Sequence, residues 1–355
     1  MNSILEEINT KVKLAFLAYS LGLILSEGKR TCTKIASYLG LNHDFLYRFL
    51  SKTDLLIPIF PKLMLSMANH FAQKGTGYLI IDDTCISKIF SRCLEGVYNV
   101  YNTALKRPER GLCIVVVAWS NGKITVPLGF EWLFHKDLVG ENYLPKSEIA
   151  KRLILGCYKQ IPFDYLLADG HYATKPLIKF LSKLKIKFVF KIARNRKVTT
   201  KNNIEKPLTE HLKLKLLRNS RSKSMRAKFD GVWLYFSVHK RKNKNGDYTS
   251  IYLVSNIYRK SAHDYLAMYE KRWNIEKMFR TMKQYLGISQ CSSRKIEVQK
   301  AHIYAVFFSY GFLQNEILDL SLNTPEEASR FDKQLKFNIA MKRIQSFSEN
   351  FEHVA

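Results

Sequence analysis

The sequence lacks the cysteine patterns that build zinc sites and disulfide frameworks. Its 355 residues include six cysteines, and none of them forms a Cys-x-x-Cys pair or a cysteine–histidine cluster with zinc spacing. This absence argues against a zinc-binding domain and leaves isolated thiols of the kind found in reducing compartments. We therefore expect buried, reduced thiols in a cytoplasmic protein.

A long apolar run is also missing. The stretch LAFLAYSLGLIL at 14–25 follows two lysines, as in a signal sequence, but Glu6 and Glu7 precede it and no small-residue cleavage site follows. It is shorter than the roughly 20 residues that span a bilayer. We expect it to form a buried helix.

Acidic residues are scarce. Lys and Arg total 57 against 30 Asp and Glu, a formal charge of +27. Such an imbalance causes self-repulsion unless a polyanion neutralises it, so nucleic acid is the expected partner. An anionic membrane is the rival partner, but the basic residues are spread along the chain rather than set beside a long apolar segment. The 46% of hydrophobic residues is ample for a packed core.

The first part of the chain has a helical pattern, and residues 31–53 have that of a helix-turn-helix. Gly40 allows the turn, and Asn42 can cap the second helix. That helix would carry Tyr47 and Arg48 outward, where they could contact DNA. An ordinary helical hairpin is the alternative.

The pattern then changes to that of an α/β domain. Short runs of β-formers predict strands, and amphipathic stretches between them predict helices. The predicted elements are strands at 78–82, 111–119 and 123–132, a helix at 146–160, a strand at 164–169, a helix at 174–184 and a strand at 186–193. This is the element order of a ribonuclease-H-like mixed-sheet core.

A basic, β-rich insertion is expected at 195–258. Between 194 and 229 the chain has 12 Lys and Arg but only two Glu. Two strands, at 227–239 and 248–258, are predicted with a hairpin between them. The helices predicted after the insertion cover 261–284, 296–320 and 326–346.

Three acidic residues stand in contexts that fit one another. Asp83 follows an apolar run in YLIIDDT, Asp169 follows another in YLLADGHY, and Glu276 lies in YEKRWNIEKMFRTMK. In the predicted order the first and fourth core strands are neighbours, so Asp83 and Asp169 would lie close together. Asp82 is the alternative to Asp83, since successive side chains point to opposite faces of a strand. We favour Asp83, which directly precedes Thr84, and expect Asp82 to point away from the site.

The third context has a regular spacing, Tyr269-x2-Arg272-x3-Glu276-x6-Lys283. On one helix these four positions fall within about 60° of one another. The stripe would present a carboxylate, two cations and a phenol, which suits a catalytic acid flanked by phosphate-binding groups.

Three carboxylates suit phosphodiester hydrolysis assisted by two divalent metal ions. Oxygen ligands favour Mg²⁺, with Mn²⁺ as the substitute, and no histidine or cysteine cluster competes for the metal.

Together these contexts resemble the DDE transposases of bacterial insertion sequences, specifically the "insertion sequence four" group, whose Tyr-x2-Arg-x3-Glu-x6-Lys signature is matched at all four positions. The resemblance covers about residues 76–290. It implies a ribonuclease-H-like core with a β insertion, and Mg²⁺-dependent nicking at transposon ends that frees a 3′ hydroxyl to attack target DNA. Asp83, Asp169 and Glu276 would be the metal ligands.

The resemblance also implies that Tyr269, Arg272 and Lys283 hold DNA phosphates, and that a homodimer binds paired DNA ends in the bacterial nucleoid. Arg194 and Arg196, just beyond the last core strand, are expected to contact the DNA backbone.

Some relatives stabilise a flipped base with a tryptophan in the insertion. Trp233 could serve here, although packing inside the insertion is the alternative that we favour. His171 and Tyr172, which follow the second acid, could line the active-site rim or be structural.

These expectations define five regions and three candidate functions. The regions are a helical DNA-binding region at 1–74, the first part of the core at 75–194, the insertion at 195–258, a core helix region at 259–290 and C-terminal helices at 291–355. A transposase is the leading interpretation. The alternatives are a ribonuclease-H-like endonuclease without strand transfer and a catalytically inactive DNA-binding relative.

Overall fold

The computed structural model describes residues 10–26, 28–73, 75–102, 106–212, 222–242, 246 and 248–319, so the helix predicted at 326–346 lies outside the described residues. The chain divides into two compact units, each assembled from segments that are distant in the sequence. Unit 1 comprises Met1–Met67, Ile86–Leu112 and Lys277–Ala355, and unit 2 comprises Ala68–Cys85 and Cys113–Glu276.

The described residues form helices and strands in the following order. The helices are α1 (Thr10–Leu25), α2 (Cys32–Leu39), α3 (His43–Ser51), α4 (Thr53–Leu56), α5 (Phe60–Ala72), α6 (Lys136–Val139), α7 (Lys146–Cys157), α8 (Lys175–Lys183), α9 (Leu208–His211), α10 (Ala262–Glu270), α11 (Trp273–Tyr285) and α12 (Ile296–Asp319). The strands are β1 (Gly77–Ser87), β2 (Tyr98–Asn102), β3 (Arg107–Ser120), β4 (Thr125–Leu133), β5 (Phe163–Ala168), β6 (Phe188–Lys191), β7 (Lys197–Thr199), β8 (Glu205–Pro207), β9 (Ser222–Phe229), β10 (Val232–Lys242) and β11 (Tyr248–Ser255). Short 3₁₀ helices cover Gly140–Asn142 and Gly170–Tyr172.

In unit 1 two short helices, α2 and α3, are joined by a turn where the sequence predicts one. Thr31 caps α2 by accepting a hydrogen bond from a backbone N–H, and Asn42 caps α3 in the same way. Gly40 ends α2 in the left-handed conformation, with φ of 67°, which costs a glycine little. The long helix α12 packs against α1, α3 and α4. Aromatic contacts reinforce this packing, as between Phe16 and Phe308 with ring centroids 4.8 Å apart.

Unit 2 is built on one twisted sheet. Its strand order is β3-β1-β5-β6-β11-β10-β9-β7-β8, and β4 pairs with β3. The strands β1, β5 and β6 are parallel, whereas β11, β10 and β9 continue the sheet in antiparallel fashion from β6. Helix α7 packs on β4 and α8, while α10 packs on β6, β9, β10 and β11. The result is a mixed α/β fold, consistent with a ribonuclease-H-like domain.

The predicted core strands and helices are confirmed, with one strand longer than predicted and one additional strand. The first strand is longer than predicted, because β1 continues to Ser87 and includes both Asp82 and Asp83. Strand β2 was not predicted; in unit 1 it pairs with the first residues of β3, from Tyr98 opposite Gly111 to Asn102 opposite Arg107.

Two predictions about the later elements are wrong. The single strand predicted at 227–239 is split into β9 and β10 by a tight turn at Asp230 and Gly231, both with positive φ. Two positive φ values are what a type I′ hairpin requires, and Asp-Gly is a preferred pair for it. The single helix predicted over 261–284 is interrupted at 271–272, where backbone bonds run from residue i to i−3, as in Arg272 N to Tyr269 O at 2.9 Å.

Among the described residues, the stretch Thr53–Ala72 is long enough and apolar enough to cross a membrane. Helices in the core of a folded domain pass the same test, so this is weak evidence for a membrane segment.

Candidate active site

Sheet register brings two acidic residues together at the carboxyl ends of the parallel strands. Ile81 of β1 pairs with Ala168 of β5, and Ala168 pairs with Phe190 of β6. The residues that follow these three positions along β1, β5 and β6 are Asp82, Asp169 and Lys191. Because residues level with one another on parallel strands share a face, these three side chains form a row. The Lys191 Nζ lies 3.9 Å from Asp169 Oδ1, in agreement with that geometry.

The third acid joins this row through an arginine. The Arg272 guanidinium donates from Nη1 to Asp82 Oδ2 at 2.7 Å, and from Nη2 to Glu276 Oε1. Its Nε donates to the Tyr269 hydroxyl at 3.2 Å, and the guanidinium lies 5.5 Å from the centre of that ring. One buried cation thus connects the acid of β1, the acid of α11 and the phenol of α10. The tight turn between the two helices keeps Tyr269, Arg272 and Glu276 together even though they do not share one helix.

The start of α11 is fastened to the sheet on either side of this turn. The Asn274 amide donates to the Tyr78 hydroxyl at 2.9 Å, and the Lys271 Nζ lies 5.6 Å from the centre of the same ring. Tyr78 itself stacks on Tyr165, with ring centroids 5.5 Å apart. These contacts fix the position from which Glu276 projects.

Burial dominates the electrostatics of the site. Desolvation raises the pKa of Asp82 to about 7, with further increases from the charges of Asp83 and Asp169, while the Arg272 guanidinium opposes the shift. Desolvation also raises the pKa of Tyr269 to about 12, again against Arg272 and with Asp169 and Asp82 adding to the increase. The pKa of Arg272 lies above its ordinary value, because its interactions with Tyr269, Asp82 and Glu276 outweigh its desolvation. The guanidinium is therefore a permanent cation between acids.

Asp83 points to the other face of β1 and has a different set of partners. Its Oδ1 accepts from Lys146 Nζ at 2.8 Å and from the Tyr172 hydroxyl at 3.2 Å, and its Oδ2 lies 3.9 Å from the Cys113 thiol. Tyr172 is fully buried, and desolvation followed by the Asp83 charge raises its pKa. Tyr172 is thus a partner of an acid, whereas His171 is exposed.

The expectation that Asp82 points away from the other acids is wrong. The alternation of side chains along β1 does separate the two aspartates, but the face shared with Asp169 and Glu276 is that of Asp82. The sheet register and the ion pair with Arg272 lead to the same result.

The donor atoms of the site match the chemistry of a hard divalent cation. Carboxylate oxygens are the ligands that Mg²⁺ and Mn²⁺ prefer. Within the described ranges, however, no three or more His, Cys, Asp and Glu side chains are grouped closely enough to hold a metal ion. The Arg272 guanidinium lies between the carboxylates of Asp82 and Glu276 instead.

The remaining predicted DNA-binding residues are exposed. Lys283 lies in the last turn of α11, and Arg194 and Arg196 follow β6. Tyr47 and Arg48 project from α3 in unit 1. Their exposure suits contact with a large polyanion.

The tryptophan of the insertion does not pack in the interior of the insertion, so that interpretation is wrong. Trp233 is 37% exposed and pairs across the strands with Lys228. The Lys228 Nζ and the Arg226 guanidinium each lie 5.1 Å from the centre of the indole ring. Arg226 also lies 5.7 Å from the Tyr235 ring, so cations and aromatic rings alternate on this surface.

Three residues near the acids were missed or misjudged from the sequence: Asp82, Lys146 and Lys191. Lys191 lies within the strand predicted at 186–193, directly after the residue level with Ala168, and Lys146 directly follows Pro145 at the start of a predicted helix. Neither position indicates a place near the acids until the pairing of the strands is known.

Comparison with known proteins agrees with this geometry. A family model described as DDE superfamily endonuclease matches residues 4–214, more than half of the chain. A second model, described as Transposase DDE domain, matches residues 146–312. No curated protein matches the chain. The acidic residues, the mixed sheet and the family match together assign this chain to the DDE superfamily of endonucleases, with a transposase-type function.

Proposed function

We propose that the chain is a DNA transposase of the "insertion sequence four" group. It binds the ends of an insertion sequence, nicks them by hydrolysis and joins the resulting 3′ hydroxyl to target DNA. The observation that carries the proposal is the row of Asp82 and Asp169 on one sheet face, with Arg272 connecting Glu276 to that row. The excess of basic residues supports a polyanionic substrate.

Asp169 and Glu276, with an aspartate of β1, are the proposed ligands of two Mg²⁺ ions, which Mn²⁺ can replace. Two such ions, when bound, activate the attacking oxygen and stabilise the leaving one. The carboxylates hold and orient these ions, and the mostly buried setting around Arg272, which is 13% exposed, limits the access of bulk water.

The choice of the first acid lies between two neighbouring residues. Sequence context favours Asp83, whereas the contacts favour Asp82, because its side chain faces Asp169 and shares Arg272 with Glu276. We propose Asp82 as the ligand and Asp83 as a residue that positions β1 through Lys146 and Tyr172.

The DNA contacts are proposed for exposed cations and phenols. Arg194, Arg196 and Lys283 would bind phosphates, together with Tyr269 and Arg272 once these leave their carboxylate partners. The helical region at 1–74, through Tyr47 and Arg48 on α3, would recognise the transposon ends. Two copies of the chain would act on paired ends, in the bacterial cytoplasm at the nucleoid.

The test is a cleavage assay on labelled duplexes that carry the ends of the element, with Mg²⁺ or with EDTA. Glu276→Gln and Asp169→Asn should abolish cleavage and leave DNA binding nearly unchanged. Glu270→Gln, at an exposed acid on α10, is the matched control and should cleave normally. Equal loss of binding and cleavage in the first two variants would contradict the metal-ligand roles.

Two further comparisons refine the assignment. Asp82→Asn should abolish cleavage, while Asp83→Asn should retain part of it. If instead Asp83→Asn abolishes cleavage and Asp82→Asn retains part of it, Asp83 is the metal ligand on β1. Joining of a pre-nicked end to a second duplex separates a transposase from an endonuclease, since only the transposase gives a strand-transfer product.

A further inference from the structure

Arg272 is held by the same carboxylates that the proposed function gives to a metal. Its Nη1 is 2.7 Å from Asp82 Oδ2, and its Nη2 donates to Glu276 Oε1. The Arg272 side chain is 13% exposed, and those of its two partners are 16% and 32% exposed. With Nε donating to the Tyr269 hydroxyl, all three guanidinium nitrogens have partners.

This arrangement solves an electrostatic problem of clustered carboxylates. Buried carboxylates that face one another repel, and each needs a cation or a proton. A planar guanidinium can pair with two carboxylates at once through separate N–H groups, which an ammonium group on one atom does less well. Arg272 thus supplies the positive charge that the acidic residues require when they are brought together.

The same guanidinium competes with a metal for these oxygens. Mg²⁺ binds carboxylate oxygens at about 2.0–2.1 Å with near-octahedral geometry. The Oδ2 of Asp82 and the Oε1 of Glu276 already accept charge-assisted hydrogen bonds, and a divalent ion beside the guanidinium would repel it. The two cations therefore compete for one pair of side chains.

We propose that Arg272 is an internal cation that a divalent metal ion displaces from Asp82 and Glu276, and that a DNA phosphate then accepts the released guanidinium. The inference rests on the proposed function, and it goes further by giving one residue two successive anionic partners. A displaced, buried guanidinium needs a new anion, and a phosphate offers the bidentate oxygens that suit it. Metal and DNA should consequently bind cooperatively, each raising the affinity for the other by the same factor.

Mn²⁺ binding followed by electron paramagnetic resonance tests the competition without relying on activity. Arg272→Ala should bind Mn²⁺ about tenfold to a hundredfold more tightly than the wild-type protein in the absence of DNA, since charge-assisted hydrogen bonds no longer oppose the ion. Arg280→Ala, which removes the same charge from an exposed position of α11, should change the affinity much less. Arg272→Gln is the second variant if the alanine variant does not fold.

The coupling between ligands provides the second measurement. Adding a duplex should tighten Mn²⁺ binding to the wild-type protein more than to Arg272→Ala, because the variant has no guanidinium to transfer. Equal or weaker Mn²⁺ affinity in both Arg272 variants would overturn the inference while leaving the proposed metal site intact. Absence of Mn²⁺ binding in the wild-type protein and in the variants would overturn the proposed metal site itself.

Discussion

Replacing Asp82 with asparagine tests how far burial controls the candidate site. Desolvation raises the pKa of this carboxyl from 3.8 to about 7, even with Arg272 beside it. Asparagine has the shape of the protonated acid, and its carbonyl oxygen can still accept one hydrogen bond from the guanidinium. The substitution therefore removes the charge and keeps the contact with Arg272, while the hydrogen bond that Asp82 Oδ1 accepts from the Asp83 N–H is lost.

The size of the effect follows from the pKa shift. A raised pKa in the folded state means that the folded protein resists ionisation of Asp82. Well below pH 3.8 the residue is protonated in both states and costs nothing; the cost grows as the pH rises past 3.8 and is complete above about pH 7. At about 1.36 kcal/mol per pKa unit, ionised Asp82 lowers the free energy of unfolding by about 4 kcal/mol.

Urea unfolding in EDTA at pH 4.5, 6 and 8 measures this cost. The variant should gain stability relative to the wild-type protein as the pH rises, and the gain should approach about 4 kcal/mol at pH 8. Asp164→Asn, at an exposed aspartate of β5, shows what loss of a negative charge does in general, and its difference from wild type should stay small. If the free energies of unfolding of the wild-type protein and Asp82→Asn differ by the same amount at all three pH values, the reasoning is refuted.

Three other substitutions probe separate features. Arg272→Met should cost about 3–5 kcal/mol at pH 8 by urea unfolding, because it leaves buried carboxylates without their cation, and less at pH 5. Trp233→Ala should weaken single-stranded oligonucleotide binding by about 1–3 kcal/mol in a fluorescence titration if its exposed ring stacks on bases, and an unchanged affinity contradicts that role. Gly77→Ala should lower the melting temperature, since its Cβ would lie 2.4 Å from the Trp119 ring, whereas Gly156→Ala, with nothing within 4 Å, should not.

Much of the core could be predicted from the sequence because its signals are local. Apolar runs and turn residues give the strands, and Gly40 and Asn42 give the ends of two helices through backbone geometry and capping. The Ser120-Asn121-Gly122 turn likewise joins β3 and β4 as an antiparallel pair. Each of these signals lies within a few residues of the structure that it specifies.

The insertion shows where local signals were missed. Asp230 and Gly231 form a hairpin turn inside a run that otherwise alternates as a single strand, and the apolar residues on both sides obscured the turn. The extension of the core sheet through β11 could not be predicted either, since its pairing with β6 joins residues more than 60 positions apart. Such contacts have no signature in either segment alone.

The identity of the first acid depends on the same kind of long-range information. Asp82 and Asp83 are chemically alike, and only the face of β1 separates them. A shift of one residue in the pairing of β1 with β5 would exchange their faces, so no reading of β1 alone could decide between them. Arg272 arrives from a different part of the chain and pairs with Asp82. Because the register and the ion pair depend on different contacts, their agreement is the physical reason to expect Asp82, rather than Asp83, beside Asp169 and Glu276.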